Sequence, residues 1–336
     1  LLFYILTWFA LSIYLFSSLE FEDALLVSLI CLSNVFLGID IYQFYLNGSL
    51  KSKLNATASM KAKLLSMSFR TIFVLLGLNV WWFIVPLLVE GLVIYSLKHR
   101  ALINDIHNID IEKSEVRKEY YSIGRLFFLS SLLVYIYSKS NEIFLKEISS
   151  FEDVGIYSIG VVLSASWIFI PLSIGTSFLT HANKKSKDEL YTLTYFVMFM
   201  SSFPILLFIY MLAGSIVDLI LGDKYMELVD ILPIMALSSF FSCLGFITNR
   251  YVSVLDSSGR YILNKVAITA FFSVFLTYIL VSNYGLIGAV ISLLVIEFSN
   301  VTIGNYFYGK GKVFRVQIEV LLLKRNLELL FKTLKS

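Results

Sequence analysis

Charged residues are scarce in this sequence. Only 15% of its 336 residues are Asp, Glu, Lys or Arg, whereas a typical soluble domain carries about 25%. Hydrophobic residues make up 58% of the chain, and the mean hydropathy is +0.80. This balance predicts an integral membrane protein.

Residues that build catalytic or metal sites are also few. The two cysteines, Cys31 and Cys243, lie far apart in apolar runs, so they form neither a disulfide framework nor a metal-ligand spacing. The histidines His99, His107 and His181 have no paired ligands, and no phosphate-binding glycine-rich loop or nucleophile elbow is present. We therefore expect no enzyme, no cofactor and no metal. A basic and aromatic nucleic-acid footprint is absent too, which argues against a nucleic-acid partner.

An initiator methionine is missing, and the chain begins inside an apolar run. A signal peptide would show a basic start and a small-residue cleavage site, and the first residues show neither. We expect residue 1 to be a truncation point.

Long apolar runs are what the chain does contain. A membrane span needs about 20 such residues. The run 64–97 would be roughly 50 Å long as one helix, so we divide it in two at Gly77–Asn79, beside Trp81 and Trp82. The ten predicted spans are 1–18, 24–46, the two halves of 64–97, 125–145, 154–180 with a kink at Pro171, 190–213, 228–252, 261–281 and 284–307.

The charges between these spans alternate in sign. Short cytoplasmic loops of membrane proteins are enriched in Lys and Arg. Here the basic clusters follow the even-numbered spans: Lys51, Lys53, Lys61, Lys63 and Arg70; Lys98, Arg100, Lys113, Arg117, Lys118 and Arg125; Lys184, Lys185 and Lys187; Arg250, Arg260 and Lys265; Lys310, Lys312 and Arg315. The opposite loops are short and acidic. A missed or extra span would move every later loop to the other side of the membrane and break this alternation. The alternation therefore supports ten spans and places residue 1 at the cytoplasmic face.

The polar segment 99–120 is the longest connection, and it separates four spans in 1–98 from six in 121–309. If two spans precede residue 1, the halves become six and six, an arrangement common among transporters. The tail 310–336 is basic and amphipathic. It sets Phe314, Ile318, Leu321, Leu330 and Leu334 near one face, so we expect either a helix on the anionic cytoplasmic leaflet or a tail docked on the protein.

Ionisable residues inside spans are candidates for a functional site, because charge in the bilayer is costly. The candidates are Asp40, Glu90, Glu297, Lys139 and Glu142. Glu90 has only apolar neighbours and is the strongest site candidate among the acidic residues. Asp40 and Glu297 could instead accept hydrogen bonds from neighbouring helices or extend to the cytoplasmic membrane–water interface. Lys139 and Glu142 share a helix face with Tyr135, and could equally form a surface ion pair among the headgroups.

Three segments resemble a known family. They are IYSKSNEIFL at 136–145, VGIYSIG at 154–160 and IYQFYLNGSL at 41–50. Together with the order of the spans, they are similar to the polysaccharide exporters of the multidrug/oligosaccharidyl-lipid/polysaccharide superfamily, specifically Wzx-type O-antigen flippases. Relatives often have Arg and Asp where this chain has Lys139 and Asn141, so charge is kept at the first position and lost at the second. Glu142 is the nearest acid that could replace it.

This resemblance implies an all-α polytopic bundle with two six-helix lobes of the multidrug/toxin-exporter type in a bacterial inner membrane. It implies ion-coupled alternating access that flips an undecaprenyl-diphosphate-linked oligosaccharide from the cytoplasmic to the periplasmic leaflet. Implied partners are membrane lipids, a polysaccharide polymerase and a chain-length regulator. A multidrug cation antiporter of the same superfamily is the main alternative, although Lys139 argues against it. A membrane-embedded polymerase would need a larger outer loop.

Overall fold

The computed structural model describes residues 2–36, 40–48, 51–106, 115–185, 188–255, 259–307 and 311–334. Within these ranges every regular element is helical. His107, Lys113, Lys187 and Lys310, which enter the predictions above, lie outside them. The chain divides into two compact units, Leu1–Glu112 and Lys113–Ser336, and this boundary falls within the segment 99–120.

The first unit contains five described helices: α1 Leu2–Ser18, α2 Phe21–Ser33, α3 Tyr42–Gly48, α4 Ser52–Leu75 and α5 Ile84–Ile106. Helix α4 ends just before Gly77, whose φ of +62° is a left-handed conformation suited to glycine. A 3₁₀ turn, Val80–Phe83, then carries both tryptophans into α5. The chain therefore breaks where the length of the run 64–97 requires it. The predicted span 24–46 is not one helix, since α2 ends at Ser33 and α3 begins at Tyr42.

The second unit contains nine described helices: α6 Glu115–Ile148, α7 Phe151–Ala165, α8 Phe169–Lys185, α9 Asp188–Leu221, α10 Leu228–Leu255, α11 Arg260–Val301, α12 Ile303–Tyr306, α13 Lys312–Ile318 and α14 Leu323–Leu334. Helix α7 begins where the Ser150 side chain accepts a hydrogen bond from the backbone N–H of Asp153, at 3.1 Å. Helices α7 and α8 meet at a bend of 48°. Pro171 lies in the first turn of α8, where its missing N–H is tolerated, so the bend precedes the proline rather than occurring at it.

The segment α11 consists of two helical arms that run antiparallel to each other. Residues 15 apart on a straight helix are about 22 Å apart along its axis, yet the hydroxyls of Thr277 and Ser292 are 3.3 Å apart. The reversal occurs at Gly285, where φ is +54° and ψ is −130°. Just after it, a Cβ on Gly288 would lie 2.0 Å from the backbone oxygen of Leu280, so glycine permits the arms to meet.

The second unit packs around two apolar clusters. One joins α9, α10, α11 and the C-terminal helices, and the other joins α7, α9, α10 and α11. Close approach depends on small residues. A Cβ on Gly160 would lie 2.7 Å from the Met235 sulfur, and one on Gly175 would lie 2.5 Å from the Met198 sulfur. Glycine at these two positions therefore lets α7 approach α10 and α8 approach α9 closely.

Four helices of the described part are long and apolar enough to cross a membrane: Val80–Leu102, Asp188–Leu221, Leu228–Ser253 and Arg260–Tyr306. The bent pair Phe151–Ala165 and Phe169–Leu179 makes a fifth if it is one span. Helix α4 carries Lys53, Lys61, Lys63 and Arg70 along its length, which lowers its apolar character. The described part of the chain is thus all-helical, with four or five helices of membrane-spanning length, and the count of ten spans stays a prediction.

Candidate functional site

The predicted residue Asp40 forms a buried ion pair in the first unit. Its carboxylate accepts a hydrogen bond from the Lys98 ammonium on α5, and the two side chains expose only 6% and 2% of their surface. The second carboxylate oxygen, Oδ1, is buried and has no hydrogen-bond partner among the described residues. A buried oxygen without a hydrogen-bond partner is costly, so Oδ1 can accept one further hydrogen bond.

Aromatic residues and a histidine lie beside this pair in sequence. The Tyr42 hydroxyl is 2.7 Å from Nδ1 of His99, and the His99 ring stacks on Tyr95 with centroids 5.7 Å apart. Tyr42 starts α3 and His99 is near the end of α5. The first unit therefore joins these two helices through a polar contact directly beside Asp40 and Lys98.

Glu90, the acidic residue that the sequence favours most as a site residue, is only partly enclosed. Its carboxylate is 3.7 Å from the guanidinium of Arg70 on α4, and the two side chains are 21% and 44% exposed. The Glu90 carboxylate is therefore less enclosed than that of Asp40.

Lys139 and Glu142 pair on one face of α6 in the second unit. The Lys139 ammonium donates to the Glu142 carboxylate at 2.6 Å, one helical turn away. Their side chains are 43% and 26% exposed. A partly exposed cation on a long apolar helix can reach an incoming anion without a rearrangement of the core.

Asn141 lies between them in sequence but faces the interior, with 1% of its surface exposed. Its amide N–H donates to the Tyr157 hydroxyl on α7 at 2.9 Å, and its amide oxygen accepts from the Ser292 hydroxyl on α11 at 2.6 Å. Three helices thus meet at one amide. Asn141 fixes the position of α6 and with it the neighbouring Lys139–Glu142 pair.

Glu297 is buried on the second arm of α11, with 7% exposed. Ser242 hydrogen-bonds to its carboxylate, and Lys265 on the first arm lies close enough to interact electrostatically. The Lys265 ammonium donates to the amide oxygens of Asn249 at 2.6 Å and Asn305 at 3.2 Å. This buried polar cluster connects α10 with both arms of the hairpin.

The structure divides the predicted site residues between its two units in the order of the sequence. Asp40 and Glu90 lie in the first unit, and Lys139, Asn141, Glu142 and Glu297 lie in the second. On sequence grounds Lys98 and Lys265 belong to cytoplasmic basic clusters, but both are buried, with 2% and 6% exposed. The sequence signal that could have predicted their burial is their position at the edge of an apolar run. Across the described residues, no group of three or more His, Cys, Asp or Glu could hold a metal ion.

Comparison with known families gives one match. Residues 2–230 match a family described as polysaccharide biosynthesis protein, whereas neither a curated protein nor a solved structure matches the chain. The matched range covers more than half of the chain, including Asp40, Glu90 and the Lys139–Glu142 pair, and it ends before Lys265 and Glu297. The chain therefore belongs to this family of polysaccharide biosynthesis proteins.

Proposed function

We propose that this protein is a flippase for an undecaprenyl-diphosphate-linked oligosaccharide in a bacterial inner membrane. The observation that carries the proposal is the Lys139–Glu142 pair, an accessible cation and acid on an apolar helix. Family membership and the membrane-length helices support a membrane protein that serves polysaccharide synthesis. In this role, the Lys139–Glu142 pair would bind an anionic lipid-linked sugar.

The need for such a protein follows from solvation. Each unpaired hydroxyl moved from water into an apolar medium costs a few kcal/mol, so a repeat unit of several sugars faces a barrier of tens of kcal/mol in bare lipid. A polar path that replaces water at the sugar lowers this barrier. The isoprenoid tail stays in the bilayer throughout.

The site residues take different roles in this proposal. Lys139 attracts the diphosphate, and Glu142 holds the ammonium in place and accepts hydrogen bonds from sugar hydroxyls. Asn141, which is buried, is a positioning residue. Asp40, Glu90 and Glu297 are the acids that would bind a coupling proton or sodium ion. Oδ1 of Asp40, which has no hydrogen-bond partner among the described residues, supports that role.

We further propose that the chain crosses the membrane ten times, with alternating access between two lobes of the multidrug/toxin-exporter type. The hairpin at Gly285 supports the last two predicted spans, because it turns one 42-residue helical segment into two arms. The break at Gly77 supports the third and fourth in the same way. The lobes would be 1–98 and 121–309. A polysaccharide polymerase and a chain-length regulator are the proposed partners.

A multidrug cation antiporter of the same superfamily is the alternative function. Such a protein needs acids that are free to receive an organic cation. Three candidate acids already have a basic partner within 4 Å, since Asp40 pairs with Lys98, Glu90 with Arg70 and Glu142 with Lys139. This pairing favours an anionic substrate.

Substrate binding tests the proposed role of Lys139. We expect the full-length protein in nanodiscs to bind undecaprenyl diphosphate more tightly than undecaprenol, because only the former carries charge for Lys139 to neutralise. Lys139→Ala should reduce this preference about tenfold, the effect of losing roughly 1.4 kcal/mol of charge-assisted interaction, and Lys139→Arg should retain most of it. Lys146→Ala is a matched control, since Lys146 is an exposed cation on the same helix. Equal binding by Lys139→Ala and the wild type would remove Lys139 from the site.

A further inference from the structure

The C-terminal segment, residues 311–334, presents two opposite apolar rows. It consists of α13, a 3₁₀ turn at Glu319–Leu321 and α14. The first row, which we call the docked row, is Val313, Val316 and Val320, with 0%, 4% and 9% of their surface exposed. These valines belong to the apolar cluster that joins α9, α10 and α11. The segment is therefore an integral part of the second unit.

Polar contacts surround the docked row. The Gln317 amide donates to the Thr248 hydroxyl on α10 at 3.2 Å. The Lys312 ammonium lies 3.1 Å from the Asp188 carboxylate, at the start of α9. The Arg325 guanidinium lies 3.5 Å from the carboxylate of Glu189, the next residue. These contacts tie the segment to the ends of α9 and α10 that face the predicted cytoplasmic side.

The second row is exposed. Its six members have 43–74% of their surface accessible, and they are Ile318, Leu321, Leu322, Leu323, Leu327 and Phe331. Leu323, Leu327 and Phe331 follow one another at intervals of four, so they lie on one face of α14. Ile318 and Leu321 were expected to share an apolar face with Leu330, but Leu330 packs against the docked side. The exposed row is thus a surface distinct from the one that anchors the segment.

Charge indicates what covers this row. Residues 310–336 contain seven basic and two acidic residues, a formal charge of +5, whereas the whole chain carries only +3. A contiguous apolar row is rarely left facing water. An apolar row flanked by basic residues is typical of helices that lie in the boundary between headgroups and acyl chains of an anionic leaflet.

We propose that the exposed row of residues 311–334 binds an anionic lipid surface, while the docked row holds α9 and α10 to it. The lipid headgroups neutralise Arg315 and Lys324, which have no ion-pair partner among the described residues, and the apolar side chains enter the outer edge of the acyl region. The segment thereby fixes the ends of two long helices at a defined depth in the membrane. This proposal does not depend on what the protein transports.

Spin labels placed on the two faces of α14 test the proposal in the full-length chain. In a background where Cys31 and Cys243 are replaced by alanine, a nitroxide is attached at Leu327→Cys or, as the matched control, at Glu328→Cys, an adjacent exposed position. Each variant is reconstituted in vesicles of phosphatidylcholine alone or with phosphatidylglycerol added. Collision with oxygen, which partitions into lipid, is compared with collision with a water-soluble nickel complex.

We expect the oxygen-to-nickel collision ratio at 327 to be several-fold higher than at 328 in phosphatidylglycerol vesicles, and to fall in phosphatidylcholine alone. A label at 327 as water-accessible as one at 328 would overturn the proposal. A label shielded from both reagents would also overturn it, because a second copy or another protein would then cover the row. Equal ratios in the two lipid mixtures would refute the requirement for anionic headgroups.

A second measurement does not need labels. Phosphatidylglycerol added to the purified protein should raise its Tm, and Leu327→Ser with Phe331→Ser should lose most of that rise while remaining monodisperse. Leu219→Ser is a matched control, since Leu219 is 87% exposed on α9 and away from the segment. An unchanged lipid-dependent rise in the double variant would contradict the proposal.

Discussion

Charged side chains in the predicted spans differ in how strongly the surrounding protein encloses them. The Asp40–Lys98 pair is almost fully enclosed, whereas the Lys139–Glu142 pair is open on one side. A buried charge depends on its partner because the protein interior solvates ions poorly. An accessible pair can exchange its partner for a ligand at little cost. The first pair should therefore govern folding as well as any coupling role, and the second should govern binding.

Removal of Lys98 tests this difference. Lys98→Met leaves the Asp40 carboxylate buried without a cation, and we expect a loss of about 3–5 kcal/mol of stability, seen as a lower Tm in detergent. The double variant Asp40→Asn/Lys98→Met has no buried charge and should recover most of that stability. If Lys98→Met unfolded at the same temperature as the wild type, the pair would not be enclosed as described.

The same variants separate structure from transport. The double variant should fold yet lose ion-dependent transport, because no carboxylate remains at position 40 to bind a coupling ion. Lys139→Ala serves as the comparison, since we expect it to keep the wild-type Tm and to lose substrate binding instead. Normal ion dependence in the double variant would exclude Asp40 as the coupling acid.

Sequence patterns located the acids but not their partners. Asp40, Glu90 and Glu297 stand out because each interrupts an apolar run. Lys98 is 58 residues from Asp40, and no local pattern indicates which cation a folded chain will bring to a distant carboxylate. Lys265 was assigned to a basic loop because its polar partners are also distant in sequence. Three-dimensional contacts with Asn249 and Asn305 are what make its burial tolerable.

Among the elements, the α11 hairpin shows how two glycines shape a long helical segment. Gly285 adopts the left-handed backbone that reverses the chain, and Gly288 lets the two arms touch. The hydrogen bond between Thr277 and Ser292 then joins the arms. Since Ser292 also donates to Asn141, the hairpin and α6 form one connected polar core.

Substitution of Gly288 tests the hairpin. A methyl group there would meet the backbone oxygen of Leu280, which cannot rotate away, so Gly288→Ala should cost about 1–3 kcal/mol through overpacking. Gly155→Ala is the matched control. Gly155 is also helical, but a Cβ there meets nothing within 4 Å, so the gain in helix propensity should leave stability unchanged or raise it by up to about 1 kcal/mol. The comparison is made by thermal unfolding, and a similar Tm for both variants would contradict the close approach of the arms.

Length and glycine placement predicted one break correctly, since the run 64–97 was too long for one span and breaks near Gly77. The chain reverses at Gly285, just inside the predicted span 284–307. The predicted span 24–46 was wrong as a continuous helix, because α2 ends at Ser33; the polar residues Asn34 and Asp40 were the sequence signs of an interruption. In the C-terminal segment the helical period was recognised, but the docked row was not, since its valines gain their role only from packing against α9 and α10.

For the whole molecule, the central claim is that a polysaccharide-family membrane protein moves a lipid-linked sugar. The two units place accessible and buried charges along apolar helices, which suits a polar substrate attached to a lipid tail. Moving one charge through 100 mV supplies about 2.3 kcal/mol, so a coupled ion could drive the cycle. A cation antiporter would use the same fold class for a different substrate.

The measurement that tests this claim most directly is translocation by the full-length protein in proteoliposomes. A fluorescent undecaprenyl-diphosphate oligosaccharide is placed in one leaflet, and its appearance in the other is followed with a membrane-impermeant quencher under imposed proton and sodium gradients. A small fluorescent organic cation is assayed in parallel, and protein-free liposomes and Lys139→Ala are the controls. A flippase predicts movement of the lipid-linked oligosaccharide, slowed in Lys139→Ala, with no uptake of the cation. Gradient-driven transport of the cation, with the lipid-linked oligosaccharide remaining in its original leaflet, would contradict it.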